Sequence, residues 1–292
     1  MCRNKFLKKL GLDTPNQLSI CLRNLIHQFV LLLTKTRVKY RIIVDKSSII
    51  LPDKPVIFSV NHTRSYDTPI AAKAISRTFR RRCYVLAGKQ NLWLSDRLFF
   101  FLNGVIWVNR QSKTGMAASK DILISYLEKK QSIMWFPEGT WNMTDNLLIL
   151  PIRWGIIDVA AKAKAQIVPV ALDYHETDMT CHISFGCPIA PDGTTDKVSA
   201  IREIRDTMAT LRWEMWEKQM PLKRDEIDRM TLKEDLFLPL REYPPLDWEY
   251  EQSIIFRPYI SPKEAFAHLE HLIPSRENAF LWNKRYYNAG RQ

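Results

Sequence analysis

Between residues 38 and 220 the chain alternates short apolar runs with longer segments whose apolar side chains recur at helical spacing. That alternation constrains the fold more than any other feature. Strands and helices taken in turn make a sheet covered by helices, an α/β architecture. VKYRIIV (38–44), PVIFSV (55–60), RCYVLAG (82–88), VIWVNR (105–110), SIMWFPEGT (132–140), QIVPVALDY (166–174) and TCHISFG (180–186) read as strands, the fifth running into a loop. Segments 68–79, 115–130, 154–165 and 197–220 read as helices. In the first of these Thr68 is the candidate N-cap, and Pro69 occupies the first turn, where its missing N–H is harmless. Pro169 interrupts its strand, and proline there predicts an edge or a bulge. A length of 292 residues, 46% of them hydrophobic, supplies the core of one large domain with an appendage.

The flanks differ from this middle. Residues 18–33 place apolar side chains at helical spacing, with Arg23, Asn24, His27 and Gln28 on the narrower polar side. The run is short for a transmembrane span and is interrupted by Arg23. Arg3, Lys5, Lys8, Lys9, Lys35, Arg37, Lys39 and Arg41 surround it. An apolar helix face with flanking cations is how a protein lies on an anionic bilayer, and it also describes an amphipathic helix packed on its own domain. Residues 1–113 carry 21 Lys and Arg against 5 Asp and Glu, whereas the remainder is near balance, so an anionic partner is expected at this end. After Pro221 the chain becomes rich in proline and aromatics. The organisation expected is therefore a basic amphipathic segment (1–37), a central domain (38–220) and a C-terminal extension (221–292). Five scattered cysteines without a CxxC pair predict free thiols in a reducing compartment. No signal peptide is expected, because the first residues lack an apolar stretch before their turn residues.

His62 and Asp67, in VNHTRSYD (60–67), form the chain's one His-x4-Asp pair. A neutral imidazole takes a proton from an attacking hydroxyl, while a carboxylate holds its tautomer and stabilises the imidazolium. The spacing lets the two face each other if His62 ends a strand and Asp67 opens the next helix, whose N-terminus keeps the carboxyl ionised. The same residues also describe a turn and a helix cap around an ordinary edge histidine. Further segments shift that balance. NGVIWVNR ends a short apolar strand in Arg110, a cation that suits a phosphate and equally describes a surface ion pair. In FPEGTWN, Pro137 stops a strand and Gly139 lets backbone approach a ligand, with Glu138 and Thr140 beside it as groups for an acceptor's polar atoms.

His-x4-Asp, Gly-to-Arg, Phe-Pro-Glu-Gly-Thr and Val-Pro-Val, in this order over roughly residues 38–215, resemble the four blocks of the glycerolipid acyltransferases, the PlsC-like lysophosphatidate acyltransferase family. The stretch from Leu86 to Arg110, including Lys89, is similar to the family's link between its first two blocks. The resemblance implies a mixed central β-sheet flanked by helices. It implies that His62 is the base on an acceptor hydroxyl, that Asp67 orients it, and that the hydroxyl attacks an acyl thioester of coenzyme A or acyl-carrier protein. Arg110 would hold acceptor phosphate, and Glu138, Gly139 and Thr140 would shape the acceptor site. No metal, further cofactor or acyl-enzyme is expected, because the thioester is already activated. The acceptor that the resemblance implies is a lysophospholipid, 1-acylglycerol-3-phosphate first among them. The protein is expected on the membrane surface at the cytoplasmic face, without a nucleic-acid partner; Arg80, Arg81 and Arg82 suit lipid phosphates or an acidic carrier.

Three departures from the family pattern bear on the acceptor. Trp141 stands where arginine is usual, Ile152-Arg153-Trp154-Gly155 stands for Phe-Lys-Lys-Gly, and Arg64 replaces a small residue. Fewer cations leave a glycolipid or other less anionic hydroxyl open, unless Arg64 takes over the phosphate with Arg153. A non-catalytic lipid-binding role on the same scaffold is the remaining alternative. His175, Cys181, His182 and Cys187 lie close in sequence, but their spacing fits no standard zinc pattern, and adjacent strand residues point to opposite faces.

Overall fold

The computed structural model describes residues 17–37, 39–46, 49, 51, 53–64, 66–88, 104–108, 113–139, 142, 148–175 and 178–219. The elements in chain order are α1 (Gln17–Arg37), β1 (Arg41–Lys46), β2 (Val56–Val60), α2 (Asp67–Phe79), β3 (Cys83–Gly88), β4 (Val105–Val108), α3 (Lys113–Glu128), β5 (Ser132–Trp135), α4 (Gly155–Lys162), β6 (Gln166–His175), β7 (Thr180–Phe185) and α5 (Lys197–Gln219). Every expected strand and helix of the middle segment is present. The C-terminal extension lies outside the described residues.

The strands form one seven-stranded sheet in the order β1-β7-β6-β2-β5-β3-β4. Only β6 and β7 pair antiparallel, so β1 and β7 run against the other five and the sheet is mixed. β2 is the middle strand and is buried throughout, which suits its unbroken apolar sequence. Its side chains alternate between two cores. Val56, Phe58 and Val60 face a layer built on Ile70, Ala71, Ala74 and Ile75 of α2, with Leu31 of α1 packed against it. Ile57 faces a second layer made by α3, α4 and α5, with Leu123, Leu127, Ile156, Ile201 and Ile204 among its members.

Two local expectations are corrected. Pro169 is not on an edge strand, since β6 lies between β7 and β2. Its carbonyl accepts the N–H of Gly186, one residue past the end of β7, so its missing donor falls where pairing stops. Helix α2 begins at Asp67 rather than being capped by Thr68, and the preceding Tyr66 makes no side-chain cap bond. The Asp67 carboxylate is instead turned back into the loop before the helix.

Helix α1 packs inside out. Its polar Arg23 and His27 are buried with Ile20, whereas Leu22, Leu25, Phe29 and Leu32 are exposed by 39%, 67%, 61% and 63%. The cause is Arg23. Its guanidinium donates to the hydroxyl of Tyr126 on α3 and lies 5.7 and 5.5 Å from the ring centroids of Tyr84 and Tyr126. Satisfying the cation turns the apolar stripe outward. Among the described residues no helix is long and apolar enough to cross a membrane.

Candidate active site

The parallel neighbours β2 and β5 end side by side, and the loops leaving them meet. After Val60, Asn61 goes on pairing by its side chain. Its amide donates to the carbonyl of Leu172 on β6 at 3.0 Å, and its oxygen accepts the Leu172 N–H at 2.8 Å. This clamp stands in for one more residue of strand and fixes the point at which His62 leaves the sheet. Two further bonds hold the His62 backbone: its N–H donates to Glu138 Oε1 at 2.7 Å, and its carbonyl accepts the Asn142 N–H at 2.6 Å.

The imidazole stacks on Phe136, with ring centroids 4.3 Å apart and planes 28° apart, and its side chain is 20% exposed. Nδ1 lies 2.9 Å from Asp67 Oδ2. That contact selects the Nδ1–H tautomer and leaves Nε2 carrying the basic lone pair. Asp67 is fully buried, yet it is well supplied with donors. Oδ2 also accepts the N–H groups of Thr63 at 2.5 Å and Arg64 at 2.8 Å, and Oδ1 accepts the Tyr174 hydroxyl at 2.6 Å. The N-terminus of α2 adds its positive end to this cradle.

Glu138 differs from the expectation that it shapes the acceptor site. It is buried, and its second oxygen accepts the Leu150 N–H at 2.7 Å, so both oxygens face inward to backbone donors. Burial pushes its carboxyl up to about 8, against the pull of those two N–H groups. Glu138 thus ties the His62 loop to the segment 148–150. That segment is held in turn by α5, where Arg205 donates to the Ile149 carbonyl and Arg212 to the Leu148 carbonyl. Arg212 is itself anchored by Asp173 of β6 at 3.2 Å. The chain from α5 to the histidine has no counterpart in sequence spacing, because its members lie far apart along the chain.

Gly139 has φ of 79°, a left-handed conformation that other residues adopt only with strain. The Arg153 side chain lies against it, its Nε 3.5 Å from where a Cβ would be, and the Arg153 N–H donates to the Pro137 carbonyl. Arg153 is therefore placed on the Pro-Glu-Gly turn. Arg64 is placed elsewhere. Its guanidinium lies 4.5 Å from the Tyr174 ring centroid and donates to the Tyr40 hydroxyl at 2.9 Å, and the residue is buried. The two tyrosines thus hold the Arg64 guanidinium in the interior. Lys89, Arg110, Thr140 and Trp141 lie outside the described residues. Of the residues weighed for zinc, Cys181 is buried and His182 pairs with Asp45 at 2.9 Å. Among the described residues no three His, Cys, Asp or Glu side chains gather as a metal site.

The family model described as "Acyltransferase" matches residues 41–173, the segment that builds this site. The 1-acyl-sn-glycerol-3-phosphate acyltransferase beta of Homo sapiens is 30% identical over 119 residues, covering 40% of this chain and 41% of that protein. The 1-acyl-sn-glycerol-3-phosphate acyltransferase of Saccharomyces cerevisiae is 27% identical over 172 residues, 54% of this chain and 55% of that protein. Through this segment the chain is similar to the glycerolipid acyltransferases. It spans about half the length of these curated relatives. The crystal structure of the 1-acyl-sn-glycerophosphate acyltransferase PlsC from Thermotoga maritima matches the acyltransferase fold with a TM-score of 0.52. That match has 16% identity and covers 66% of this chain and 79% of that one. Within this acyltransferase fold, Tyr174, Asn61, Asn142 and Arg212 are the site residues that sequence reasoning missed. Asn61 was visible as the neighbour of His62, but its partner lies 111 positions away.

Proposed function

We propose that the protein is an O-acyltransferase that moves a fatty acyl group from acyl-CoA or acyl-carrier protein to the hydroxyl of a lysophospholipid. The reading is carried by one observation, a half-open histidine whose Nδ1 is held at 2.9 Å by a fully buried carboxylate at the end of the central strand. His62 Nε2 takes the acceptor's hydroxyl proton as its oxygen attacks the thioester carbonyl, and Asp67 stabilises the imidazolium. The tetrahedral intermediate collapses with a C–O bond formed and the C–S bond broken. The leaving thiolate takes the proton back from His62, so the histidine ends as it began. The donor arrives activated, and the steps use no metal and no covalent enzyme intermediate.

The names of the relatives support 1-acylglycerol-3-phosphate as acceptor, with Arg153 on the Gly139 turn as a cation for its phosphate. Arg110 and Lys89 join that role from the sequence pattern. The enzyme works peripherally on the cytoplasmic face of a membrane. Its exposed stripe Leu22, Leu25, Phe29 and Leu32 enters the interface, and the cations around α1 meet anionic headgroups.

The test is mass spectrometry of products from purified protein given acyl-CoA and acyl-carrier donors with a panel of lysolipids and glycolipids. A diacyl phospholipid product is expected, together with its loss by about 1000-fold or more in His62→Ala and Asp67→Asn, both still folded by circular dichroism. Undiminished transfer by His62→Ala would refute the mechanism. A glycolipid product would replace the acceptor and leave the chemistry standing.

A further inference from the structure

We propose that Tyr174 is a positioning residue for the His62–Asp67 pair, its hydroxyl holding Asp67 Oδ1 at 2.6 Å so that Oδ2 stays on His62 Nδ1. The inference rests on the acyl-transfer reading above and deepens it. The two carboxylate oxygens are unequally served. Oδ2 faces the His62 ring and two backbone N–H groups, whereas among the described residues Oδ1 has the Tyr174 hydroxyl and, at 3.5 Å, only the Thr63 hydroxyl besides. Without Tyr174 a buried oxygen lacks a strong donor, and the carboxylate gains freedom to turn about its Cβ–Cγ bond.

Tyr174 is itself built in. Strand alternation puts it on the face of β6 that meets the start of α2, and it is buried there. Its ring stands edge-on to Tyr40, with centroids 4.9 Å apart, under the Arg64 guanidinium. Burial, reinforced by the Asp67 charge, holds its hydroxyl well above the usual phenol range, so it remains a donor throughout the working range. This also gives Arg64 a place in the reaction as the cation that packs the tyrosine.

The other groups acting on Asp67 and Tyr174 are His62 and Arg64 in the loop, Cys181 on β7, and Glu138 beyond β5. Burial keeps Cys181 a neutral thiol. Glu138 titrates in the window of interest, so the effect of Tyr174 is read as a difference between proteins that share Glu138.

The expected consequence is specific. Once Oδ1 loses its donor the carboxylate turns, Oδ2 spends less time on His62 Nδ1, and the imidazolium loses part of its stabilisation. The parent is compared with Tyr174→Phe and with a protein carrying p-aminophenylalanine at 174, whose amine still donates. Two measurements are made on each: the pH dependence of kcat and acceptor KM, and NMR titration of the histidine ring, assigned by subtraction with His62→Gln. In Tyr174→Phe the acid limb and the NMR midpoint of His62 move down by about half a unit, kcat falls about 5- to 10-fold, and acceptor KM is unchanged. The amine variant restores most of both.

A midpoint within about 0.1 unit of the parent refutes the inference and reduces Tyr174 to packing. A raised KM at unchanged kcat also refutes it, since the hydroxyl would then be contacting acceptor. If Tyr174→Phe does not fold, the amine variant decides: its weaker donor gives a smaller downward move, and no move overturns the proposal. The NMR arm needs no turnover, so a parent that transfers no acyl group sinks the proposed reaction while the titration judges Tyr174 by itself.

Discussion

Replacing Glu138 by glutamine separates two roles that the Pro-Glu-Gly turn could give this side chain, namely contacting acceptor or holding the histidine loop. In the structure each carboxyl oxygen faces one backbone N–H, from His62 and from Leu150, at 2.7 Å in both cases. With the group pushed up to about 8, the parent is largely the neutral acid at pH 7. A neutral carboxyl still serves both donors, because its hydroxyl oxygen keeps a lone pair; the amide nitrogen of glutamine has none to offer. One buried N–H is therefore stranded against an NH2 group, which costs about 1–3 kcal/mol. For a protein of this size that lowers the melting temperature by about 2–4 °C for each kcal/mol. Loosening the His62 loop lowers kcat by about 10- to 100-fold, while acceptor KM stays where it was.

The pH dependence gives an independent check on the same residue. Its folded value lies above the ordinary 4.5, so between about 4.5 and 8 the native state keeps a proton that the unfolded chain has released. The Glu138 contribution is therefore fully present below 4.5 and is lost as pH rises toward 8, by at most about 1.4 kcal/mol for each unit. Glutamine abolishes that component. Urea titrations of both proteins at pH 5 to 8, set beside steady-state kinetics, measure each effect. A raised acceptor KM with kcat intact would refute the positioning role, and an equal pH slope in the two proteins would refute the account of the carboxyl.

The exposed stripe of α1 predicts that Leu25→Ser with Phe29→Ser weakens flotation with anionic vesicles by about 10-fold or more. Circular dichroism should be unchanged, because neither side chain supports the core; equal flotation of parent and variant would remove α1 from the interface. Asn61→Ala breaks both bonds to Leu172 and is expected to cost about 2–3 kcal/mol, read as a lower urea midpoint at constant m-value. A midpoint unchanged from the parent would mean that Asn61 is not a structural clamp.

The strand and helix order could be read from residues 38–220 because hydrophobic periodicity is a local property, with a period of two for a half-buried strand and about 3.6 for a helix. His62 and Asp67 were legible for a similar reason, being five residues apart on one loop between a strand and a helix. Arg153 was legible as part of an ordered motif. The difficulties arose where the partner is remote. Pro169 looked like an edge residue because its strand could not be ordered in the sheet from sequence, and only pairing between β6 and β7 shows that the neighbour ends beside it. Glu138 looked like an acceptor contact because its two backbone partners belong to separate segments.

Two arginines illustrate the limit best. Arg23 marked the polar side of an amphipathic helix, and Arg64 stood beside the catalytic pair as a candidate for phosphate. In the fold both turn inward onto tyrosines, Arg23 onto Tyr84 and Tyr126, Arg64 onto Tyr40 and Tyr174. The chain alone carried the α/β class and the pairing of His62 with Asp67, since those follow from residue type and short spacing. Which way a cation faces depends on what surrounds it in space. A guanidinium goes where aromatic faces and hydroxyls repay its lost water, and those groups come together only when the sheet has formed.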